Sequence, residues 1–229
     1  MKSQKSKMKR ISAMILSLAL LLCAAVPAMA EAAAKDETVY ILSDAQGQAR
    51  RIIVSDWLKN PDKLDELTDA TRLQNLTMVE GNATFERDGE RLTWDADGKD
   101  VYYQGDSDEE LPLTLQITYL VDGEEVPAAD MAGKSGHVTI RFSYTPADGQ
   151  KAQFAVLSAV LLDSDRFTNV EVTNGAVIND GDRLVALGAA LPGLKAHLDV
   201  EDKDGKLPET VEITADVENF ALPLTVTAA

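Results

Sequence analysis

Gly133-Lys134-Ser135 has the ending of a phosphate-binding loop, and it is the first place to look for chemistry in this chain. The full signature needs an earlier glycine at position 128, which is Ala128, and it needs a helix to follow. Here the segment leads into an alternating apolar run, so it reads as a glycine-bracketed turn entering a strand. Histidines are only two, His137 and His197. His137 falls on the polar side of a strand pattern near Lys134 and Arg141, a poor setting for a general base, and His197 sits in a short Lys-Ala-His-Leu stretch. No Gly-x-Ser-x-Gly elbow exists, since 133–137 reads Gly-Lys-Ser-Gly-His, and no HExxH occurs.

Two acidic loops, Asp95 to Asp100 and Asp199 to Gly205, look like calcium loops at first sight. Setting Gly98 or Gly205 at the sixth position of a twelve-residue loop puts Thr93 or Val200 first and Gln104 or Val211 last. Both registers lose the ligands that matter most, so ordinary turns explain them, and only a weak Ca2+ site from clustered carboxylates stays open. Acids are plentiful enough for a carboxylate-pair hydrolase, which would need two of them about 5–10 Å apart with one desolvated. Nothing marks one pair, and with only Trp57 and Trp94 there is little for sugar stacking. Trp57 is expected to pack the first hairpin on a following helix and Trp94 to pack a meander. No catalytic residue, cofactor site or metal site is therefore assigned.

The elements that would position any site are strands. Leu113, Leu115, Ile117, Tyr119 and Val121 alternate with polar residues, as do Val138, Ile140, Phe142 and Tyr144. Period two means one buried face and one wet face. Such a pair cannot stand alone, because ordering its backbone costs as much as its apolar side chains return. A second sheet must cover it. Thr38–Ser43 and Arg50–Ser55 read as a hairpin, and Thr84–Arg87, Arg91–Trp94 and Val101–Gln104 as a meander with Asp-Gly turns. Asn60, Pro61 and the acids Asp62, Asp65 and Glu66 predict a short helix from Pro61 to about Asp69. Pro127 to Ala132 suits one helical turn with left-handed Gly133 after it. The run Phe154–Leu162 fits either a helix face, through Phe154, Leu157, Ser158 and Leu161, or a buried strand, and the β context favours strand; Val170–Val172, Ala176–Ile178, Leu184–Leu187 and Val211–Val217 follow as further strands, and Leu222–Val226 closes the set. The prediction is a mainly β chain: an antiparallel, immunoglobulin-like β-sandwich over 111–229, and a smaller β-rich portion over 31–110 carrying the one short helix.

Residues 1–30 read as a secretory signal. Lys2, Lys5, Lys7, Lys9 and Arg10 precede an apolar run from Ile11 to Val26, and Ala28 and Ala30 place cleavage before Glu31. The apolar run is short for a membrane span, and Leu22 before Cys23 is not the small residue a lipoprotein signal needs. Glu31–Glu37 reads as an Ala-rich mobile spacer. Removing the signal takes five of the 22 basic residues, none of the 38 acids and the single cysteine, leaving 17 bases, 38 acids and a net charge of −21. Disulfides and thiolate metal sites are excluded. Nucleic acid and anionic membrane surfaces are disfavoured as partners.

Several phrases then carry a family likeness: Glu37-Thr38-Val39-Tyr40, Ile53-Val54-Ser55-Asp56-Trp57-Leu58-Lys59-Asn60, Leu92-Thr93-Trp94-Asp95, Asp100-Val101-Tyr102-Tyr103-Gln104-Gly105, Ala132-Gly133-Lys134-Ser135-Gly136 and Asn169-Val170-Glu171-Val172-Thr173-Asn174-Gly175. Over 37–229 the chain resembles the extracellular N-terminal region of uncharacterised Firmicutes membrane proteins, some grouped with the phage infection protein class. Those proteins continue into Leu-x-x-Gly heptads and a membrane helix. The resemblance implies a β-rich head displayed on a Gram-positive cell, and it supplies no catalytic residues. The heptads and anchor are absent here, which suggests a piece of a longer protein, attached to the membrane only through a missing C-terminal part. The expectation is an exported, non-enzymatic cell-envelope or cell-surface module with an unidentified envelope or extracellular partner. The alternative is a secreted hydrolase of envelope polymers.

Overall fold

The computed structural model describes residues 35–199 and 207–229. The expected cleavage residues Ala28, Ala30 and Glu31, and most of the Asp199 to Gly205 loop, lie outside them. The described chain is antiparallel β throughout, with one short helix. Four sheets form two layered pairs around two separate hydrophobic cores.

The first core lies between a four-stranded and a three-stranded sheet. Strands β1 (Lys35–Ser43), β2 (Ala49–Leu58), β7 (Val101–Ser107) and β4 (Gln74–Glu80) lie in the order β1-β2-β7-β4. The second sheet orders β3 (Glu66–Ala70), β6 (Arg91–Asp95) and β5 (Thr84–Asp88) as β3-β6-β5. Between them Trp94 is almost wholly buried, with ring centroids 4.7 Å from Phe85 and 4.8 Å from Tyr103. Tilted contacts of this kind add roughly 0.5–1.5 kcal/mol each to the burial itself. Trp94 therefore does the packing expected of it.

Trp57 does not. Its ring stays exposed, Nε1 donates to Asp100 at 2.9 Å, and Lys59 Nζ lies 4.9 Å from the ring centroid. There is no helix for it to meet. Residues 61–65 turn, and β3 begins at Glu66. The Asn60 side chain closes that turn, accepting from Leu64 N at 2.8 Å and donating to Leu64 O at 2.8 Å, while Lys63 takes a left-handed φ of 53°. Only Leu64 and Leu67 support a helix face. Pairing Leu67 with Trp94 across the β3–β6 ladder buries Leu67 and leaves Leu64 out, which outweighs a weak helical preference. The expected meander also divides. The Asp97-Gly98 turn has both residues at positive φ and carries the chain out of β6 into β7 of the other sheet. Nor is the spacer free to its end, since Lys35, Asp36 and Glu37 pair with Leu58, Trp57 and Asp56.

The second core is a sandwich. One sheet runs β12 (Phe167–Val172), β15 (Thr210–Val217), β10 (Gly136–Pro146), β8 (Leu113–Val121), β9 (Glu124–Val126); the other runs β13 (Gly175–Asn179), β14 (Arg183–Ala190), β11 (Val156–Asp163), β16 (Leu224–Ala228). β8 and β10 pair as their alternation requires, Ile117 opposite Phe142 and Tyr119 opposite Ile140. The covering sheet brings Val156, Val160, Leu162, Leu184 and Ala186 onto that face. β9 pairs with the far edge of β8, and a single 3-10 turn at Ala128–Asp130 precedes left-handed Gly133. The helix, α1 (Leu194–Leu198), follows β14 rather than β2.

The two cores are tied by the tip of the β1–β2 hairpin. Ile117 N donates to Gln46 O at 2.8 Å, and the Tyr119 hydroxyl donates to Ala45 O at 2.8 Å. Gly47 is buried there at φ +88°, and a Cβ on it would lie 2.7 Å from Leu115 O. No side chain fits without moving backbone. Gly47→Ala should therefore cost about 1–3 kcal/mol through left-handed strain and the clash. The Ile117 amide should lose hydrogen-exchange protection first; unchanged protection there would show that the tip does not hold the joint.

Candidate functional site

Two places in the described residues combine unusual chemistry with a shaped environment. The first is a polar cluster at the edge of the first core. In the β1–β2–β7 ladder Glu37 lies opposite Asp56, and Asp56 opposite Tyr103, so the three share one row across the sheet. Lys35, one pleat away, reaches into it. Its Nζ donates to Asp69 Oδ2 at 3.1 Å and Oδ1 at 3.3 Å, and lies 3.0 Å from Asp56 Oδ2. The Tyr103 hydroxyl donates to Asp69 Oδ2. Asp56 is 1 % exposed, and neither of its oxygens has an aligned hydrogen bond; the Lys35 ammonium is its ion-pair partner.

Electrostatics follow from that crowding. Burial pushes the Tyr103 phenol far above its ordinary range, helped by the hydrogen bond to Asp69 and the nearby Asp56 charge. Burial raises the Glu37 carboxyl, and the neighbouring Asp56 charge raises it further. For Lys35, burial works against the charged form, but the two aspartates outweigh it and the ammonium is held above its usual value. Asp56 is thus a desolvated acid that shares the Lys35 ammonium with Asp69, at 3.0 and 3.1 Å.

The second place is a groove of about 520 Å³ beside the hairpin tip. Ile41, Leu42 and Ser43 of β1 form one wall, Ala128, Met131 and Ala132 another, and the link Phe220–Pro223 with the start of β16 a third. Ile117 and Tyr119 also line it, and Asp44 is the one ionisable aspartate or other charged group among the lining residues. Asp44 is already occupied, accepting from Gln46 N and Gln48 N at 3.0 Å each and from Arg50 at 2.6 Å. Phe220 fixes the link, its ring edge-on to Tyr119 at 6.0 Å.

The groove continues into exposed apolar surface. Val39, Tyr40, Ile41 and Leu42 are 45 %, 49 %, 43 % and 53 % exposed, and among the described strands only β2 pairs with β1. β16, paired only with β11, is the corresponding edge of the sandwich, with Leu224 and Val226 about half exposed.

The residues singled out from the sequence lie elsewhere or serve structure. Gly133 N donates to Phe220 O at 2.9 Å, Phe220 N to Lys134 O at 2.7 Å, and Asn219 N to the Ser135 hydroxyl at 3.0 Å. The apparent phosphate loop thus clamps the link that walls the groove. His137 is exposed, with Nδ1 3.0 Å from Asp216 Oδ1, and its strand neighbour Arg141 pairs with Glu212 at 2.6 Å. His197 lies exposed on α1. In the Asp95 to Asp100 turn, Asp97 pairs with Lys99, while Asp100 accepts from Trp57 and from Asn60 N at 2.7 Å. Among the described residues no group of three His, Cys, Asp or Glu is placed to hold a metal ion. None of their helices is long and apolar enough to cross a membrane. The groove was missed in the sequence because its walls come one or two residues at a time from distant segments; the run Val39–Leu42, apolar on both faces, was the available signal.

No known protein family matches the chain, and no curated protein matches it. Among solved structures the chain is similar to the Fcho1 Mu homology domain from Danio rerio with bound Eps15 peptide, at 11 % sequence identity and a TM-score of 0.42, over 80 % of this chain and 77 % of that one.

Proposed function

We propose that this chain is an exported, non-enzymatic module of the cell envelope that works by binding a protein partner, displayed outside the cell as the head of a longer membrane-anchored protein. The observation that carries the binding role is the apolar groove joined to the exposed apolar run Val39–Leu42, set in a chain of net charge −16. A strongly acidic exported protein has no solubility reason to expose Val39–Leu42 together, whereas interaction sites do expose such patches. Export is supported by the basic and apolar segments of residues 1–30.

The export reading is tested by expressing the full chain in a Gram-positive host and determining the N-terminus of the recovered protein. The expected first residue is Glu31, in protein from outside the membrane. Protein retained in the cytoplasm with residues 1–30 intact would overturn it.

A further inference from the structure

We propose that Lys35 and Asp56 become covalently joined: Lys35 Nζ attacks the carboxyl carbon of Asp56, and an isopeptide bond ties β1 to β2 with loss of one water. Such a bond is independent of the binding role proposed above and concerns only how the first core is held.

The geometry places nucleophile and electrophile together. Nζ lies 3.0 Å from Asp56 Oδ2, and Asp56 is 1 % exposed, so its carboxyl carbon is shielded from hydrolysis. Holding two aligned reactants in this way is worth an effective concentration of roughly 10⁵–10⁸ M. Neither oxygen of Asp56 has an aligned hydrogen bond, so its buried charge is poorly compensated, and an amide in its place carries none. Asp69 differs. Its Oδ1 accepts from Ala70 N at 2.8 Å and its Oδ2 from the Tyr103 hydroxyl, while both also accept from Nζ. It is held as the acceptor for a proton leaving the ammonium. Glu37 stands opposite Asp56 in the ladder, and burial, together with the Asp56 charge, raises its carboxyl. That makes it a proton donor beside the Asp56 oxygens.

The step balances without an added reagent. One ammonium proton passes to Asp69 and frees the Nζ lone pair, while Glu37 protonates an Asp56 oxygen. The new bond forms between Nζ and Cγ. A second proton from Nζ joins the protonated oxygen, the C–O bond breaks and water leaves. The proton on Asp69 then restores Glu37. The third proton stays on the amide, so an ammonium and a carboxylate have become one neutral amide and one water. The lysine side chain is 29 % exposed, which gives that water a way out. Because the ammonium is the resting form of Lys35, the neutral amine is scarce and the reaction slow, but a bond made once per molecule needs no turnover. The ion pair is the state before it. No cysteine follows Cys23, so no disulfide can pin the start of β1 in its stead.

The experiment uses the full chain, produced in a Gram-positive host and sampled when fresh and after days at neutral pH. Each sample is weighed intact in denaturant by mass spectrometry and then digested with trypsin. The aged protein should weigh one water less than its sequence requires. Its digest should contain a branched peptide, uncut after Lys35, joined through Asp56 to the segment 52–59. Lys35→Arg and Asp56→Ala should each keep the full mass. Glu37→Gln should slow the loss of water by about tenfold or more, and an unchanged rate overturns its part as proton donor. Full mass in the aged parent chain overturns the proposal, a reading that needs no variant to fold. Loss of water with cleavage after Lys35 intact places the change elsewhere and overturns it too. A branch at Asp69 overturns the assignment of Asp56 as electrophile.

Discussion

Between pH 10 and 12 the protein should unfold cooperatively, and the tyrosinate absorbance contributed by the buried Tyr103, Tyr119 and Tyr144 should rise together with the loss of tertiary signal rather than before it. Four groups set this expectation. Burial holds the phenols of Tyr103, Tyr119 and Tyr144 above the ordinary tyrosine range, and the pull of Asp56 and Asp69, outweighing burial, does the same for the Lys35 ammonium. In an unfolded chain these groups release their protons near pH 10. The folded state keeps them longer, so above that pH it binds more protons than the unfolded state and its stability falls as pH rises. Each proton that the fold retains costs at most about 1.4 kcal/mol per pH unit, drawn from the about 5–15 kcal/mol that stabilises a typical domain. Below pH 10 none of this penalty is felt. Smooth ionisation of all tyrosines near pH 10, with near-UV circular dichroism intact, would show that the phenols are not held as described.

Lys35→Met should destabilise the first core by about 3–5 kcal/mol at neutral pH. Removing one member of a buried ion pair leaves the other charge without compensation, and Asp56, 1 % exposed, has no other counterion at hydrogen-bonding distance. Methionine fills most of the volume of the lysine stem, so the loss is electrostatic rather than a cavity. The double variant identifies the cause. Removing the stranded charge as well, with Asp56→Asn, should recover part of the loss. Urea unfolding of the three proteins measures this; no recovery in the double variant would mean that Lys35 matters only as packing.

Lys35 was not legible as an important residue. It stands at the end of an Ala-rich stretch, and Asp56, Asp69 and Tyr103 are each ordinary in their local sequence. Only the strand register, with Glu37 opposite Asp56 and Asp56 opposite Tyr103, brings them together. The sandwich was legible because alternation reports a face directly: Ile117, Tyr119, Val138, Ile140, Phe142, Val211 and Ile213 are all buried as their spacing requires. Alternation fails where the buried face is thin. β4 offers only Leu76 and Met78, both half-buried, with left-handed Asn75 beside them, and so gave no strand signal. The segment at 61–69 had good helix-starting chemistry but too few apolar residues to hold a helix against a free sheet edge. A groove assembled from β1, β8, the 128–132 turn and the 220–225 link leaves only the apolar run Val39–Leu42 as a local signature.

The place of β16 in the fold has a consequence for the order of assembly. Every pairing around the first core lies within residues 35–107, so that core can close soon after its own residues have left the ribosome. The sandwich cannot. β11 holds its fourth-sheet place between β14 and β16, and Ser158 on it shares hydrogen bonds with Tyr144 and with Thr227, the latter 69 residues later. Until Leu224–Ala228 arrives, β11 keeps an open flank and a hydroxyl without its second partner. Such long-range closure is slow. The first core can therefore form before the sandwich, which closes only when β16 pairs with β11.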